Sequence, residues 1–178
     1  MRINSVAVFC GSKNGSNPLF VKEAKVLGQL LASKKINLIY GGGNKGIMGA
    51  ISNAVLEKNG KVVGIIPEIL KEIEQHHNGI TELIIVENMH TRKKMLYEKC
   101  NAAIILPGGY GTMDEFFEML TWNQLNIHNK KIFILNTAGF YDKLFAFIKT
   151  MEDEGFLYNT VADKLVVLKQ ADEILNYL

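Results

Sequence analysis

The chain has 178 residues, 48% of them hydrophobic, and a formal net charge of +2 with lysine and arginine spread along its length. No basic block or stripe marks it as a nucleic-acid binder, and Cys10 and Cys100 are too few and too far apart for a disulfide framework. The N-terminal apolar run Val6 to Cys10 is too short for a signal core or a membrane span, so the expectation is one domain over residues 1–178, cytoplasmic and with no membrane partner.

In chain order, strand patterns fall at 6–10, 37–40, 61–66 and 83–86, separated by helical patterns at 20–33 and 46–59. A helix at 89–100, a strand at 102–106, a helix at 112–127 and a strand at 131–135 follow. A helix at 141–154, a strand at 165–168 and a short helix at 171–178 complete the pattern. Residues 67–81 are the least regular and read as a loop near the site. Strands that are continuous Val/Ile/Leu runs fit a parallel sheet covered on both faces. Strict alternation with helices predicts an α/β, Rossmann-like doubly wound parallel sheet with helices on both faces. Ligands of such folds lie beyond the carboxyl ends of the strands. Three glycine-bearing turns fall there: Cys10-Gly11-Ser12, the stretch from Gly41 to Gly49, and the stretch from Pro107 to Gly111.

The most informative run is Leu106-Pro107-Gly108-Gly109-Tyr110-Gly111-Thr112-Met113-Asp114-Glu115. Glycines at a strand-to-helix turn let the backbone approach a ligand, and the N–H groups of the helix start make an anion site suited to phosphate. Glu115, expected in the first helical turn, is then available for chemistry beside the phosphate. The T-x-x-E pattern of Thr112 and Glu115 also reads as a capping box, with Thr112 as N-cap.

Gly41-Gly42-Gly43-Asn44-Lys45-Gly46 satisfies G-x-G-x-x-G, and Glu68 follows about one βα unit later. A nicotinamide site is one reading. Against it, the match follows the second strand rather than the first, which favours a turn facing phosphate or ribose. Arg92, Lys93 and Lys94 open the helix after His90 and cannot all face one way. A cation at a helix start opposes the dipole, so an electron-rich partner is expected for one of them, and loss of Arg92 is expected to cost turnover but little stability. His76, His77, His90 and His128 lack metal-ligand spacing and are read as non-ligands; no metal site is expected. Ser12 reads as a loop hydrogen-bonder, since no G-x-S-x-G elbow exists. In the helix at 112–127, Met113, Phe116, Phe117 and Leu120 form one apolar stripe, read as core, and Met119, Trp122 and Leu125 a second, read as the interface of a homodimer.

Together these residues resemble a known family. Pro107-Gly108-Gly109-Tyr110-Gly111-Thr112-Met113-Asp114-Glu115 resembles the P-G-G-x-G-T-x-x-E signature of the LOG (Lonely Guy) family, the cytokinin riboside 5′-monophosphate phosphoribohydrolases. Met89-His90-Thr91-Arg92-Lys93 resembles its M-H-x-R-K. The run from Gly41 to Gly49 resembles its G-G-G-x-x-G-L/I-M-G, and Cys10-Gly11-Ser12 its first turn. Lys13 and Asn88 depart from the common Ser and Asp. The resemblance implies hydrolysis of the N-glycosidic bond of a purine nucleoside 5′-monophosphate, AMP or an N6-substituted AMP, to the free base and ribose 5-phosphate. It also implies a homodimer and no metal or redox cofactor. A lysine decarboxylase label borne by some relatives finds no pyridoxal phosphate lysine site here.

Residue by residue, the resemblance makes Arg92 and Glu115 catalytic. The phosphate is expected on the amides of Gly109, Gly111 and Thr112, within a substrate-binding run formed by Gly108, Gly109, Tyr110, Gly111, Thr112, Met113 and Asp114. Glu74, Lys93 and Thr121 match further substrate-contacting positions, and Gly42, Gly43 and Met48 are expected to line the cleft. Two other classes remain open on the sequence: a non-catalytic nucleotide-binding protein and a dinucleotide-dependent oxidoreductase.

Overall fold

The computed structural model describes residues 3–71, 75–157 and 165–178. The first half of the chain alternates β1 (Ser5–Phe9), α1 (Pro18–Ser33), β2 (Asn37–Tyr40), α2 (Gly46–Glu57), β3 (Val62–Pro67), a single-turn α3 (Glu68–Lys71) and β4 (Glu82–Val86). The second half runs α4 (Met89–Glu98), β5 (Ala102–Ile105), α5 (Tyr110–Gln124), β6 (Ile132–Leu135), α6 (Asp142–Asp153) and β7 (Leu165–Leu168). Two 3₁₀ stretches, Thr137–Gly139 and Ala171–Asn176, flank the last helix and strand.

Among the described residues the strands form one seven-stranded sheet in the order β4-β3-β2-β1-β5-β6-β7, and every neighbouring pair is parallel. This is the expected doubly wound α/β arrangement. The order reverses direction at β1 and β5, which puts the switch-point crevice at their carboxyl ends. Successive strand residues point to opposite faces. Val6 and Val8 join α1 and α2 in one core that includes Leu27, Leu31, Ile51 and Val55. Ala7 and Phe9 join a second core with Leu96, Phe116, Met119 and Ile148 on the other face. Burial on both faces is why the strands read as unbroken apolar runs rather than as alternation.

Helix starts differ from the sequence expectation in two instructive places. α1 begins at Pro18, behind an Asn17 N-cap whose side chain accepts the Leu19 N–H at 3.0 Å; proline fits the first helical position, where its missing N–H has no acceptor to lose. α5 begins at Tyr110 with Gly109 as N-cap and no side-chain cap. Thr112 is therefore the third helical residue rather than the N-cap, and Glu115 lies in the second turn rather than the first. The T-x-x-E capping box does not form, because Gly109 and not Thr112 holds the N-cap position. The segment expected as a loop contains α3, and its later part lies against the second glycine turn: Gly43 and His76 form an antiparallel bridge, Asn44 N–H donates to Gln75 O at 2.9 Å and His77 N–H donates to Gly42 O at 2.9 Å.

The three glycine turns meet backbone to backbone. Gly11 N–H donates to Pro107 O at 3.0 Å, and Gly11 O accepts from Ile47 N–H at 3.1 Å and Met48 N–H at 3.3 Å. Gly46, at φ +60°, presses on the Ser12–Lys13 backbone with no room for a Cβ. Strain and overlap coincide at this position, so Gly46→Ala is expected to destabilise the fold by at least about 1–3 kcal/mol. In a chain of this size that lowers Tm by roughly 2–4 °C for each kcal/mol, which a thermal melt beside wild type reads directly.

Candidate active site

The crevice at the switch point is a cleft of about 330 Å³. Its floor is the end of β1, with Phe9, Cys10, Gly11 and Ser12. One wall carries Gly41, Met48 and Arg92, and the other Gly109, Tyr110, Gly111, Thr112 and Glu115. The turns supply two helix starts, and they differ chemically. The second and third N–H groups of α2, from Ile47 and Met48, are taken by Gly11 O. In α5 the first turn bonds back only from Met113 N–H to Gly109 O, at 3.1 Å. Helix geometry leaves the Tyr110, Gly111 and Thr112 amides without intrahelical acceptors, and these residues line the cleft. An anion is thus favoured at α5, whereas the G-x-G-x-x-G turn presents no comparable cradle for a pyrophosphate.

Thr112 is 4% exposed, and its hydroxyl lies so close to Gly108 that a Cβ there would overlap it; the same Cβ would come to 2.9 Å from Gly11 N. The Pro107 turn is held from behind by Tyr141, whose buried hydroxyl donates to Leu106 O at 2.6 Å. Burial pushes the Tyr141 phenol well above its ordinary pKa, so it remains a donor through neutral pH.

Arg92 is only 6% exposed. Asn88 caps α4, accepting the Thr91 N–H at 2.9 Å, and Arg92 follows in the first turn. Its Nε donates to Ile65 O at 3.1 Å and its Nη2 to Gly41 O at 3.2 Å. The guanidinium is therefore a fixed positive charge in the cleft wall, tying α4 to the ends of β3 and β2. Its neighbours take other directions. Lys94 is exposed and pairs with Glu98 at 3.8 Å. Lys93 Nζ bridges Asp114 at 2.7 Å and Glu118 at 3.3 Å. Burial by itself lowers the Lys93 pKa, but the hydrogen bonds and charges of the two carboxylates outweigh it and hold the ammonium above its ordinary value.

The structure thus brings Arg92, Glu115, Gly109, Tyr110, Gly111, Thr112 and Met48 to one cleft. Gly108 stands behind it, lining a neighbouring apolar pocket with Phe20 and Phe140. Met113 packs against the second core, Asp114 pairs with Lys93, and Thr121 is exposed further along α5. Gly42 and Gly43 hold the strand-like segment at His76 and His77; Glu74 lies outside the described residues. Among the histidines, His77 is buried, its Nδ1 accepting Gly79 N–H at 3.0 Å and its Nε2 lying 3.0 Å from Asn53 Oδ1. Desolvation lowers its pKa.

The split of α5 into two apolar sides needs correction. Met119, expected at an interface, is 3% exposed in the second core, whereas Phe117, expected in the core, is 37% exposed. Tyr141 and the cleft-facing Cys10 and Gly41 were not singled out as site residues. Cys10 and Gly41 sit at strand ends where the glycine turns already pointed, but no local pattern marks Tyr141.

A Rossmann-like sheet whose crevice sets an anion-binding helix start beside a carboxylate and a buried guanidinium defines a nucleotide-handling α/β protein. A family model described as "Possible lysine decarboxylase" matches residues 48–178. The chain is 41% identical over 169 residues to the cytokinin riboside 5′-monophosphate phosphoribohydrolase of Rhodococcoides fascians, spanning 94% of this chain and 85% of that protein. It is 42% identical over 177 residues to cytokinin riboside 5′-monophosphate phosphoribohydrolase LOG2 of Arabidopsis thaliana, spanning 99% and 83%. The chain belongs to the LOG family of phosphoribohydrolases. In fold alone it is also similar to the molybdenum cofactor binding protein of Rippkaea orientalis, with TM-score 0.74 and 22% identity over 99% of this chain and 96% of that one. No helix among the described residues is long and apolar enough to cross a membrane.

Burial also revises the expected consequence of losing Arg92. Arg92→Ala would strand the buried carbonyls of Ile65 and Gly41, so it is expected to cost about 1–3 kcal/mol of stability as well as turnover. Urea titration of the variant against wild type measures this, and an unchanged midpoint would show that the two carbonyls find water instead.

Proposed function

We propose that this chain hydrolyses the N-glycosidic bond of AMP or an N6-substituted AMP, such as a cytokinin riboside monophosphate, releasing the free base and ribose 5-phosphate. The observation that carries the reading is the contrast between the two helix starts: the Ile47 and Met48 amides of α2 are engaged by Gly11 O, while Tyr110, Gly111 and Thr112, whose amides have no intrahelical acceptor, line the cleft that also holds Glu115 and Arg92. The 5′-phosphate rests on these amides, with the Thr112 hydroxyl beside them. That puts the sugar within reach of Glu115. As the C1′–N9 bond lengthens, its electron pair leaves with the base and positive charge develops on the ribose. The Glu115 carboxylate stabilises this charge and orients the attacking water, whose oxygen bonds C1′ and whose proton it accepts; that proton passes through solvent to the departing base, which leaves neutral and restores the carboxylate. Carboxylates play the same part beside the oxocarbenium-like transition states of glycoside hydrolysis. Arg92, fixed by two carbonyls, faces the electron density gathering on the departing base. Of the further candidates, Glu74 is proposed as a substrate contact on the resemblance alone.

Incubation with AMP, N6-isopentenyl-AMP and adenosine, followed by chromatography of released bases, tests the reading. The nucleotides are expected to be consumed and adenosine spared, because the phosphate supplies the hold. Glu115→Gln keeps shape and removes charge; turnover is expected to fall by roughly two to four orders of magnitude while AMP still binds. Retained AMP without any released base in wild type would leave a binding protein.

We also propose that the chain forms a homodimer through α5 and the turn that follows it, where Phe117, Leu125 and Ile127 are 37%, 60% and 56% exposed. Exposed apolar side chains such as these favour self-association. Leu125→Glu is expected to convert the dimer to monomer by light scattering at micromolar concentration; a monomeric wild type would refute the interface.

A further inference from the structure

The two groups that the proposed reaction relies on stand on different helices. Arg92 is on α4, which packs mainly on β3 and β4, and Glu115 is on α5, which packs on β1. Side chains link the helices. Lys93, next to Arg92 in sequence, reaches Asp114, next to Glu115, at 2.7 Å, and Glu118, one turn on, at 3.3 Å. Below this pair Tyr97 of α4 meets Trp122 of α5 edge to face, with ring centroids 5.0 Å apart. Lys93 does not line the cleft. Its side chain, 18% exposed, instead borders a void of about 10 Å³ underneath Glu115, together with Phe9, Glu118 and Trp122.

We propose that Lys93 is a positioning residue, a clamp between α4 and α5 that sets Arg92 against Glu115, rather than a ligand of the substrate. The electrostatics of α5 favour such a clamp. Asp114, Glu115 and Glu118 stand at helical spacings where like charges repel: Asp114 and Glu118 are four apart, Glu115 and Glu118 three. One ammonium between the first and last of these carboxylates relieves that repulsion on the side of α5 that meets α4. The pair also joins the residues adjacent to both reacting groups, so a shift of one helix on the other moves Arg92 and Glu115 apart directly. A misplacement of about 1 Å in a catalytic constellation can cost on the order of a hundredfold in rate.

The inference rests on the phosphoribohydrolase reading, so wild-type turnover of AMP is measured first; its absence overturns that reading, and this inference with it, before any variant is compared. Steady-state kinetics and calorimetric AMP binding are then compared for wild type, Lys93→Met, Lys93→Arg, Glu118→Gln and the Lys93→Met/Glu118→Gln pair. A clamp predicts that Lys93→Met lowers kcat by about 10- to 100-fold with KM and AMP affinity unchanged. It predicts that Glu118→Gln, outside the cleft, lowers kcat in the same direction by less, and that the double variant is no worse than Lys93→Met, since residues of one network are not additive. Lys93→Arg, which can still bridge both carboxylates, regains most of the rate. Should Lys93→Met fail to fold, Glu118→Gln and Lys93→Arg carry the same comparison. Raised KM and weakened AMP binding at unchanged kcat in Lys93→Met would make Lys93 a substrate ligand and overturn the clamp, as would a Glu118→Gln protein with wild-type kcat.

Discussion

Everything at the functional end of this molecule depends on the peptide groups of Gly11. The N–H holds the Pro107 carbonyl, and the carbonyl gathers the Ile47 and Met48 N–H groups. One residue after β1 therefore fixes the turn after β5 and the start of α2 at once. It takes up two amides of one helix start and leaves the other start to the cleft, so a single carbonyl makes two similar glycine-rich turns chemically different. Such nesting is possible only with short side chains at the crossing points, and Gly46 and Gly108 occupy the places where a Cβ would meet neighbouring backbone or the Thr112 side chain.

Charge is arranged around this crossing with the same economy. The anion-attracting pole of α5 is made of amides, so it needs no lysine at the cleft; the cations of α4 serve other ends. Arg92 is buried on carbonyls of β3 and the β2 turn, Lys93 is held by carboxylates of α5, and Lys94 lies on the solvated face. Three successive basic residues thus have three environments, set by the 100° step of a helix rather than by their chemistry. Tyr141 completes the support from the far side, bracing Leu106 at the root of the Pro107 turn.

Much of the architecture was legible because a parallel sheet buried on both faces writes its strands as unbroken apolar runs, and glycines at their ends mark where crossover helices begin. The position of the crevice followed from topology. Element boundaries were less legible where two local rules compete. Thr112 and Glu115 satisfy a capping box on paper, but Gly109 takes the cap and the helix begins two residues earlier, since Tyr110 and Gly111 can both enter the first turn. The two apolar stripes of α5 were visible, but which side meets the core was not: Met119 and Phe117 differ by two positions, and only the packing of the helix on the sheet decides between them.

The sequence by itself determined the strand–helix alternation, the three glycine turns and the presence of a carboxylate and a guanidinium in motifs at strand ends, because periodicity and turn chemistry are local. Tertiary structure alone decided that Gly11 silences the α2 helix start, that Arg92 is buried while Lys93 is clamped, and that Tyr141 supports the Pro107 turn. Those outcomes join residues far apart in the chain, 51 positions for Arg92 and Gly41 and 35 for Tyr141 and Leu106. Hydrogen bonds of that span are set by how the strands are ordered in the sheet, and no window of neighbouring residues encodes that order.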